Sequence, residues 1–344
     1  MAATLATRTG LIEVIPARVV LSIRGGVSMS HEWREEFADR EPFIEAIRNA
    51  PDEDGPVLIY ADWLEEHGHP DRAELIRIQL EAASLVETDP RRAALKRRES
   101  QLKAIHRQSP LEELPDLGGR VIWGGFERGM VREATFVHAS DFLEVADEVF
   151  HLAPLEKIRF LNLVPKDLGR LADSSALARV RALDLSEQGL DGAGLSYLTR
   201  SPHLGALREL ELRSNPLGGS GIKVLTSSPR LAGLTRLGLH RVGAGNDAAR
   251  ALAQESYLVR LIELDLSSNP LHFAAAEALA QSAHLENLRA LNLSSTSIGF
   301  AGVAAIARSA LGQRLERLII HHLRRKTDDL QAIRDLMPHA VVVG

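Results

Sequence analysis

Eight residues in the second half of the chain join charged or titratable side chains to a fixed step: Asp184, Glu209, Glu211, Arg213, Arg236, His240, Glu263 and Asp265. Asp184, Glu211 and Asp265 fall at one place in a recurring pattern, 27 residues or twice that apart. Glu209, Arg236 and Glu263 share a second place, and Arg213 and His240 a third. Charges repeated in this way can line a surface that another charged surface recognises. They do not make a catalytic centre, which needs groups converging on one atom from different directions. Two further groups have the residue types of acid–base or metal chemistry. Asp62, Glu65, Glu66 and His67 stand close together, but no second segment converges on them, and they read as the solvated face of a helix ending at Gly68. His321-His322 with Asp328 and Asp329 is the other; neighbours on a strand face opposite ways, so a structural or solvated role is expected. No phosphate loop G-x-x-x-x-G-K-[ST], nucleophile elbow G-x-S-x-G or H-E-x-x-H pair occurs. No catalytic residue, cofactor or metal is therefore expected, and the protein is read as no enzyme.

The elements that must hold these charges follow from the letters around them. Leu207-Arg-Glu-Leu-Glu-Leu-Arg-Ser-Asn-Pro216, Leu261–Pro270 and Leu288–Ser297 share the pattern L-x-x-L-x-L-x-x-N. Its first position recurs every 27 residues at Val180, Leu207, Leu234, Leu261, Leu288 and Leu315. A constant step of this length marks a solenoid, in which each unit buries its apolar face only against its neighbours. The segment x-L-x-L-x alternates as a short strand does, leucines inward and the charged residues outward. Extending the template backwards places Val131, Ala134 and Phe136, then Ile158, Leu161 and Leu163, at the three core positions, with a shortened step of 22 from Ile158 to Val180. Eight strands are expected, starting at 131, 158, 180, 207, 234, 261, 288 and 315, and Val341–Val343 can add a ninth.

Successive strands pair in parallel, so their outward residues stack in columns about 4.8 Å apart. One column runs Glu133, Phe160, Ala182, Glu209, Arg236, Glu263, Ala290, Arg317. The next runs Thr135, Asn162, Asp184, Glu211, Gly238, Asp265, Asn292, Ile319. The acids form a central stripe interrupted by Arg213, Arg236, His240 and Arg241. Asn215 and Asn269 are placed to bond the backbone of the turn that follows, with Gln188 and Thr296 as substitutes. Val242 cannot do so, which predicts a looser turn there. Between strands, Leu198, Leu225, Leu252, Leu279 and Ile306 keep the step as the inward face of a return helix. Helices are wider than strands, so the stack curves, with strands on its concave face and helices on its convex face. These motifs resemble leucine-rich repeats of the ribonuclease-inhibitor-like class over 131–320. The resemblance implies an α/β horseshoe and a protein-binding role.

Ahead of the array the pattern is helical. Glu41-Pro-Phe-Ile-Glu-Ala-Ile47, Leu58-Ile-Tyr-Ala-Asp-Trp-Leu-Glu-Glu-His-Gly68 and Arg72–Gln79 resemble the bacterial repeat-companion domain, a short helical module N-terminal to repeat arrays that brings no assigned activity. A fourth helix, Arg91 to about Arg107, is basic but carries an apolar seam at Leu95, Leu102 and Ile105, as a solvated outer face does. The irregular stretch 109–129 reads as a joint, with Trp123 and Phe126 covering the open end of the first repeat. The division expected is a disordered leader or mis-assigned start over 1–28, a helical companion domain over 29–108, a joint and cap over 109–130, and the solenoid over 131–344.

Bulk composition sets the outer limits. The 344 residues are 45% hydrophobic and 25% charged, with net charge −5, which disfavours a nucleic-acid partner because phosphate contacts need a basic excess. No apolar run reaches membrane-spanning length. No cysteine occurs, which suits a reducing cytoplasm. The function expected is a monomeric, cytoplasmic interaction module whose concave face binds an unknown protein of basic or mixed charge. A regulator of a partner enzyme, such as a ribonuclease or small GTPase, is the alternative, with a hydrolase-type enzyme a distant third.

Overall fold

The computed structural model describes residues 39–105, 114–115, 117–254, 256–322 and 327–344. The expected leader over 1–28 lies outside them, as do the side chains of Asp328 and Asp329. Four helices come first: α1 Glu41–Asn49, α2 Gly55–Glu66, α3 Pro70–Ser84 and α4 Arg91–Ile105. A proline stands in the first turn of α1, α2 and α3, where its missing N–H is not needed. Gly68, at φ 86°, turns the chain out of α2 in the left-handed region that a side chain resists. Ile44, Ile47, Val57, Tyr60, Leu64 and Ile76 form the core of this bundle. Leu102 of α4 packs on Leu75 and Ile78 of α3, with Leu95 against them, so the apolar seam of the basic helix is its inner face.

A hairpin region then leads into the array: β1 Val121–Trp123, β2 Phe126–Glu127, β3 Met130–Val131 and β4 Glu133–Phe136. From β4 onward, strand and helix alternate. The strands are β5 Lys157–Phe160, β6 Ala182–Asp184, β7 Glu209–Glu211, β8 Arg236–Gly238, β9 Glu263–Asp265, β10 Ala290–Asn292, β11 Arg317–Ile319 and β12 Val341–Val343. The helices between them are α5 Ala139–Leu152, α6 Pro165–Asp173, α7 Gly192–Thr199, α8 Gly218–Thr226, α9 Asn246–Gln254, α10 Phe273–Ala280, α11 Gly299–Arg308 and α12 Thr327–Leu336. One sheet runs β1-β4-β5-β6-β7-β8-β9-β10-β11-β12, parallel throughout except at β1–β4. Antiparallel β1 caps the open end, and Trp123 and Phe126 pack against the first repeats as the sequence predicts. A single leucine-rich core runs from Val121 to Val342 between sheet and helices.

The template misplaces one repeat. Ala134 pairs with Ile158, and Ile158 with Leu183, so the local steps are 24 and 25 rather than 27 and 22. Phe160, expected outward, is fully buried against Phe136 and Phe142, with ring centroids 6.2 and 5.9 Å away. Leu161, expected inward, is 45% exposed. A large aromatic fills the space between helix and sheet better than the leucine one position later, and it pulls the strand into its own register.

The turn at Val242 is not looser than the rest. Glu187, Ser214, Arg241, Ser268, Ser295 and His322 all take left-handed φ, between 52° and 63°, so each turn from β6 to β11 has one shape. At Gln188 and at Val242 a side chain from the following repeat holds the turn. Asn269 Oδ1 accepts the N–H groups of Val242 and Ala244, both at 3.0 Å, and its Nδ2 donates to the carbonyls of Leu239 (2.7 Å) and Leu266 (3.0 Å). Asn215 does the same for Gln188 and Leu190. Gln188 takes the role one repeat earlier, accepting from Leu163 N–H at 2.6 Å. Each asparagine thus serves its own turn through Nδ2 and the turn one repeat earlier through Oδ1, so the turn at Val242 is held by Asn269 and Val242 is free to be apolar.

The bundle docks on the first repeats through polar contacts to backbone. Arg72 donates to Gly129 O at 2.5 Å and lies 3.9 Å over the Phe126 ring; Gln79 Oε1 accepts from Gly129 N–H at 2.7 Å. Arg48 donates to Phe150 O, and Arg128 to Pro51 O. Gly129, at φ 78°, lies so close to Ile76 that a Cβ there would meet the Ile76 backbone.

Candidate functional site

The concave face is built from three rows of side chains set by strand alternation. The middle row, read across β4 to β11, is Thr135, Arg159, Asp184, Glu211, Gly238, Asp265, Asn292 and Ile319. Arg159 therefore stands where Asn162 was expected, 3.5 Å from the Asp184 carboxylate. The row before it holds Glu209 and Glu263, but these are not free acids. Glu209 is ion-paired with Arg236, Glu263 lies 3.7 Å from Arg317, and Glu133 lies 3.0 Å from Lys157. That row neutralises itself.

Asp184, Glu211 and Asp265 remain as the acidic centre, around a trough of about 280 Å³ whose floor is β7 to β9. Gly238 makes the trough. Without a side chain at 238, the Glu211 carboxylate folds over the bare backbone; a Cβ at Gly238 would fall inside that carboxylate. Burial raises the Glu211 carboxyl above its ordinary value, with the Arg213 N–H bond opposing and the neighbouring charges of Asp184 and Asp265 adding to the rise. Among the described residues Glu211 has no cationic ion-pair partner, and its carboxylate is held by the Arg213 N–H at 3.2 Å.

The third row, at the rim where strands become turns, carries Arg213 and His240. Arg213 is exposed and 3.7 Å from Glu187. His240 Nδ1 lies 2.8 Å from Ser267 Oγ, and that hydroxyl donates to Asp265 Oδ1 at 2.5 Å. Burial lowers the His240 pKa; Asp265 raises it, while Arg213 and Arg241 push it down further. Serine, histidine and aspartate meet here, yet the aspartate holds the serine rather than the histidine. The hydroxyl's proton is thus committed to Asp265, and no base is oriented to take it.

All eight residues singled out in the sequence face this trough or its rim. Sequence reasoning missed Arg159 and Lys157, hidden by the misplaced repeat, and the part played by Gly238 and Ser267. A glycine at an outward strand position was the available signal for Gly238.

The other candidates disperse. Asp62 and Glu65 both pair with Arg77 at 2.7 Å on the exposed side of α2, and the His67 ring stacks on Trp63. His321 and His322 are exposed, with ring centroids 6.3 Å apart. Among the described residues no group of three or more histidine, aspartate or glutamate side chains could hold a metal ion. A cleft of about 370 Å³ opens between the bundle and the first repeats, lined by Arg48, Asn49, Glu156, Arg179 and Arg181. Its one carboxylate, Glu156, is taken by Arg132 and Arg181, so no acid–base pair faces it.

Repeats, register and rows together define an α/β leucine-rich-repeat solenoid. A family model described as Leucine Rich repeat matches residues 207–225 and 284–307. No curated protein matches the sequence. Two solved structures align with most of the chain. The Rad7 and Elc1 complex of yeast does so at 13% identity, covering 83% of this chain and 89% of that one, with a TM-score of 0.28. A leucine-rich-repeat protein of Leptospira interrogans does so at 14% identity, covering 70% and 98%, with a TM-score of 0.20.

Proposed function

We propose that this protein is a non-enzymatic interaction protein whose concave strand face binds a partner protein of basic or mixed charge. The observation that carries this is the trough at Gly238, where Asp184, Glu211 and Asp265 meet and Glu211 stands desolvated without a cation among the described residues. A carboxylate held partly out of water is poised to gain from an incoming cation, since part of its desolvation cost is already met before binding. The N-terminal helices, read as a companion domain, hold the first repeats in place. A ribonuclease-inhibitor-like regulator of a partner enzyme would use the same face. No helix of the described residues is long and apolar enough to cross a membrane, and we place the protein in the cytoplasm as a monomer. The test is crosslinked affinity capture with the full chain, run beside Glu211→Lys/Asp265→Lys. Loss of a captured partner in the double variant is the expected result. A partner retained at unchanged yield removes the concave face as the site.

A further inference from the structure

We infer that the partner's contact segment is extended and carries a basic and an acidic side chain two residues apart, the base seated over Gly238 and the acid against the Arg213–Arg241 rim; this rests on the concave-face reading above. Three observations lead there. The row through Glu209, Arg236, Glu263 and Arg317 is internally paired and offers no net charge to select a ligand. The middle row around Gly238 is acidic, and only Asp184 of its three acids has a cation beside it. The rim beyond is the reverse. Arg213 and Arg241 flank His240; Arg213 is 3.7 Å from Glu187, Arg241 has no ion pair among the described residues and leaves the rim a net positive charge, and the corresponding rim positions of later repeats are only serine or histidine, at Ser267-Ser268, Ser294-Ser295 and His321-His322. The sign of the face thus changes within one step at the ends of β7 and β8.

That step sets the geometry of the occupant. Glu211 and Arg213 are two residues apart on one strand, roughly 7 Å at the usual rise of a strand. An extended segment laid along β7 and β8 projects every second side chain to one side with the same spacing, so a Lys-x-Glu pair, in either chain direction, meets both rows at once. A pair at adjacent positions puts its charges on opposite sides and can satisfy only one row. The Glu211 carboxylate lying over Gly238 is what the basic side chain meets, while the acidic one stays near the rim, where Ser214 and His240 add hydrogen-bonding groups.

The test uses the full chain and short labelled peptides of matched length carrying Lys-x-Glu, Lys-x-Lys, Glu-x-Glu or adjacent Lys-Glu, with binding read by fluorescence anisotropy. Lys-x-Glu should bind about fivefold tighter than Lys-x-Lys or Lys-Glu, about 1 kcal/mol at 1.4 kcal/mol per tenfold. Arg213→Glu/Arg241→Glu should turn the preference to Lys-x-Lys, and Glu211→Lys to Glu-x-Glu. Glu211→Gln, which leaves the shape of the side chain intact, should weaken Lys-x-Glu without inverting it. Thermal melting checks that each variant is folded. Equal affinity for Lys-x-Glu and Lys-x-Lys in the wild type overturns the rim assignment, and no binding of any peptide overturns the extended segment. Either outcome, together with a captured partner that Glu211→Lys/Asp265→Lys releases, discards this inference and leaves the concave face standing. Loss of both discards the two together.

Discussion

Replacing Asn269 with alanine should open the turn at Val242 and leave the turn two repeats earlier, at Gln188, closed. Asn269 is 3% exposed, and its Oδ1 is the acceptor for the N–H groups of Val242 and Ala244, which are 1% and 0% exposed. Water cannot reach these donors without the turn moving. Each buried donor left unsatisfied costs about 1–3 kcal/mol, so the pair puts the loss at about 2–6 kcal/mol. The carbonyls of Leu239 and Leu266, one residue past the ends of β8 and β9, lose the Asn269 Nδ2 donor as well. A repeat array need not unfold in one step, so a single denaturation midpoint is a poor gauge. Amide hydrogen exchange is the better assay. Protection should fall at Val242 and Ala244 and persist at Gln188 and Leu190, whose acceptor is Asn215. Asn215→Ala should give the converse pattern. Uniform loss of protection across the array, or less than 1 kcal/mol lost at Val242 and Ala244, would refute the idea that the turns at Gln188 and Val242 lean on the asparagine one repeat further on.

Two other perturbations test separate parts of the structure. Gly129→Ala should destabilise the protein by about 3 kcal/mol, because it adds strain at φ 78° to a clash with the Ile76 backbone where the bundle meets the array; urea denaturation measures it. The acid limb of stability should carry two opposed contributions. Glu211, whose folded pKa is raised by burial, contributes stability that is complete at low pH and is lost as pH rises through its folded pKa. His240, whose folded pKa is lowered by burial and by the facing Arg213 and Arg241 against Asp265, contributes stability present above its ordinary pKa and lost as pH falls. Stability measured from acid to neutral pH should therefore lose its decline with rising pH in Glu211→Gln and its decline with falling pH in His240→Gln, and identical pH profiles would show that neither group is perturbed.

Most of the solenoid was legible because its leucines obey two constraints at once, alternation along the strand and a constant step between strands. Leu207, Leu234 and Leu261 cannot shift by one residue without turning a core face to water. Where one constraint lapses, the sequence misleads. At Ile158-Arg-Phe-Leu-Asn-Leu163, a template of aliphatic spacing fits Leu161 and Leu163, and nothing in the letters says that Phe160 will find Phe136 and Phe142. Arg159 was lost from the middle row for the same reason. The charges of the site were legible as types and columns, but their pairing was not. Whether Glu209 bonds Arg236 or stands free depends on rotamers and on a neighbour one strand away. Glu211 differs from Glu209 only because its neighbour on β8 is Gly238, whose bare backbone gives the carboxylate room to lie down.

The asparagines that complete the turns at Gln188 and Val242 from one repeat further on also have a meaning in time. Val242 waits for a partner 27 residues later in the chain. During synthesis at about 5–20 residues per second, that partner follows after roughly 1–5 s. The turns at Gln188 and Val242 thus spend that interval with their amide donors open to water, and each closes only when the next unit has left the ribosome and folded onto it. At Gln188 and at Val242 the array is fastened by the unit made after it, so a growing end that stops at either turn is less protected than the repeats before it.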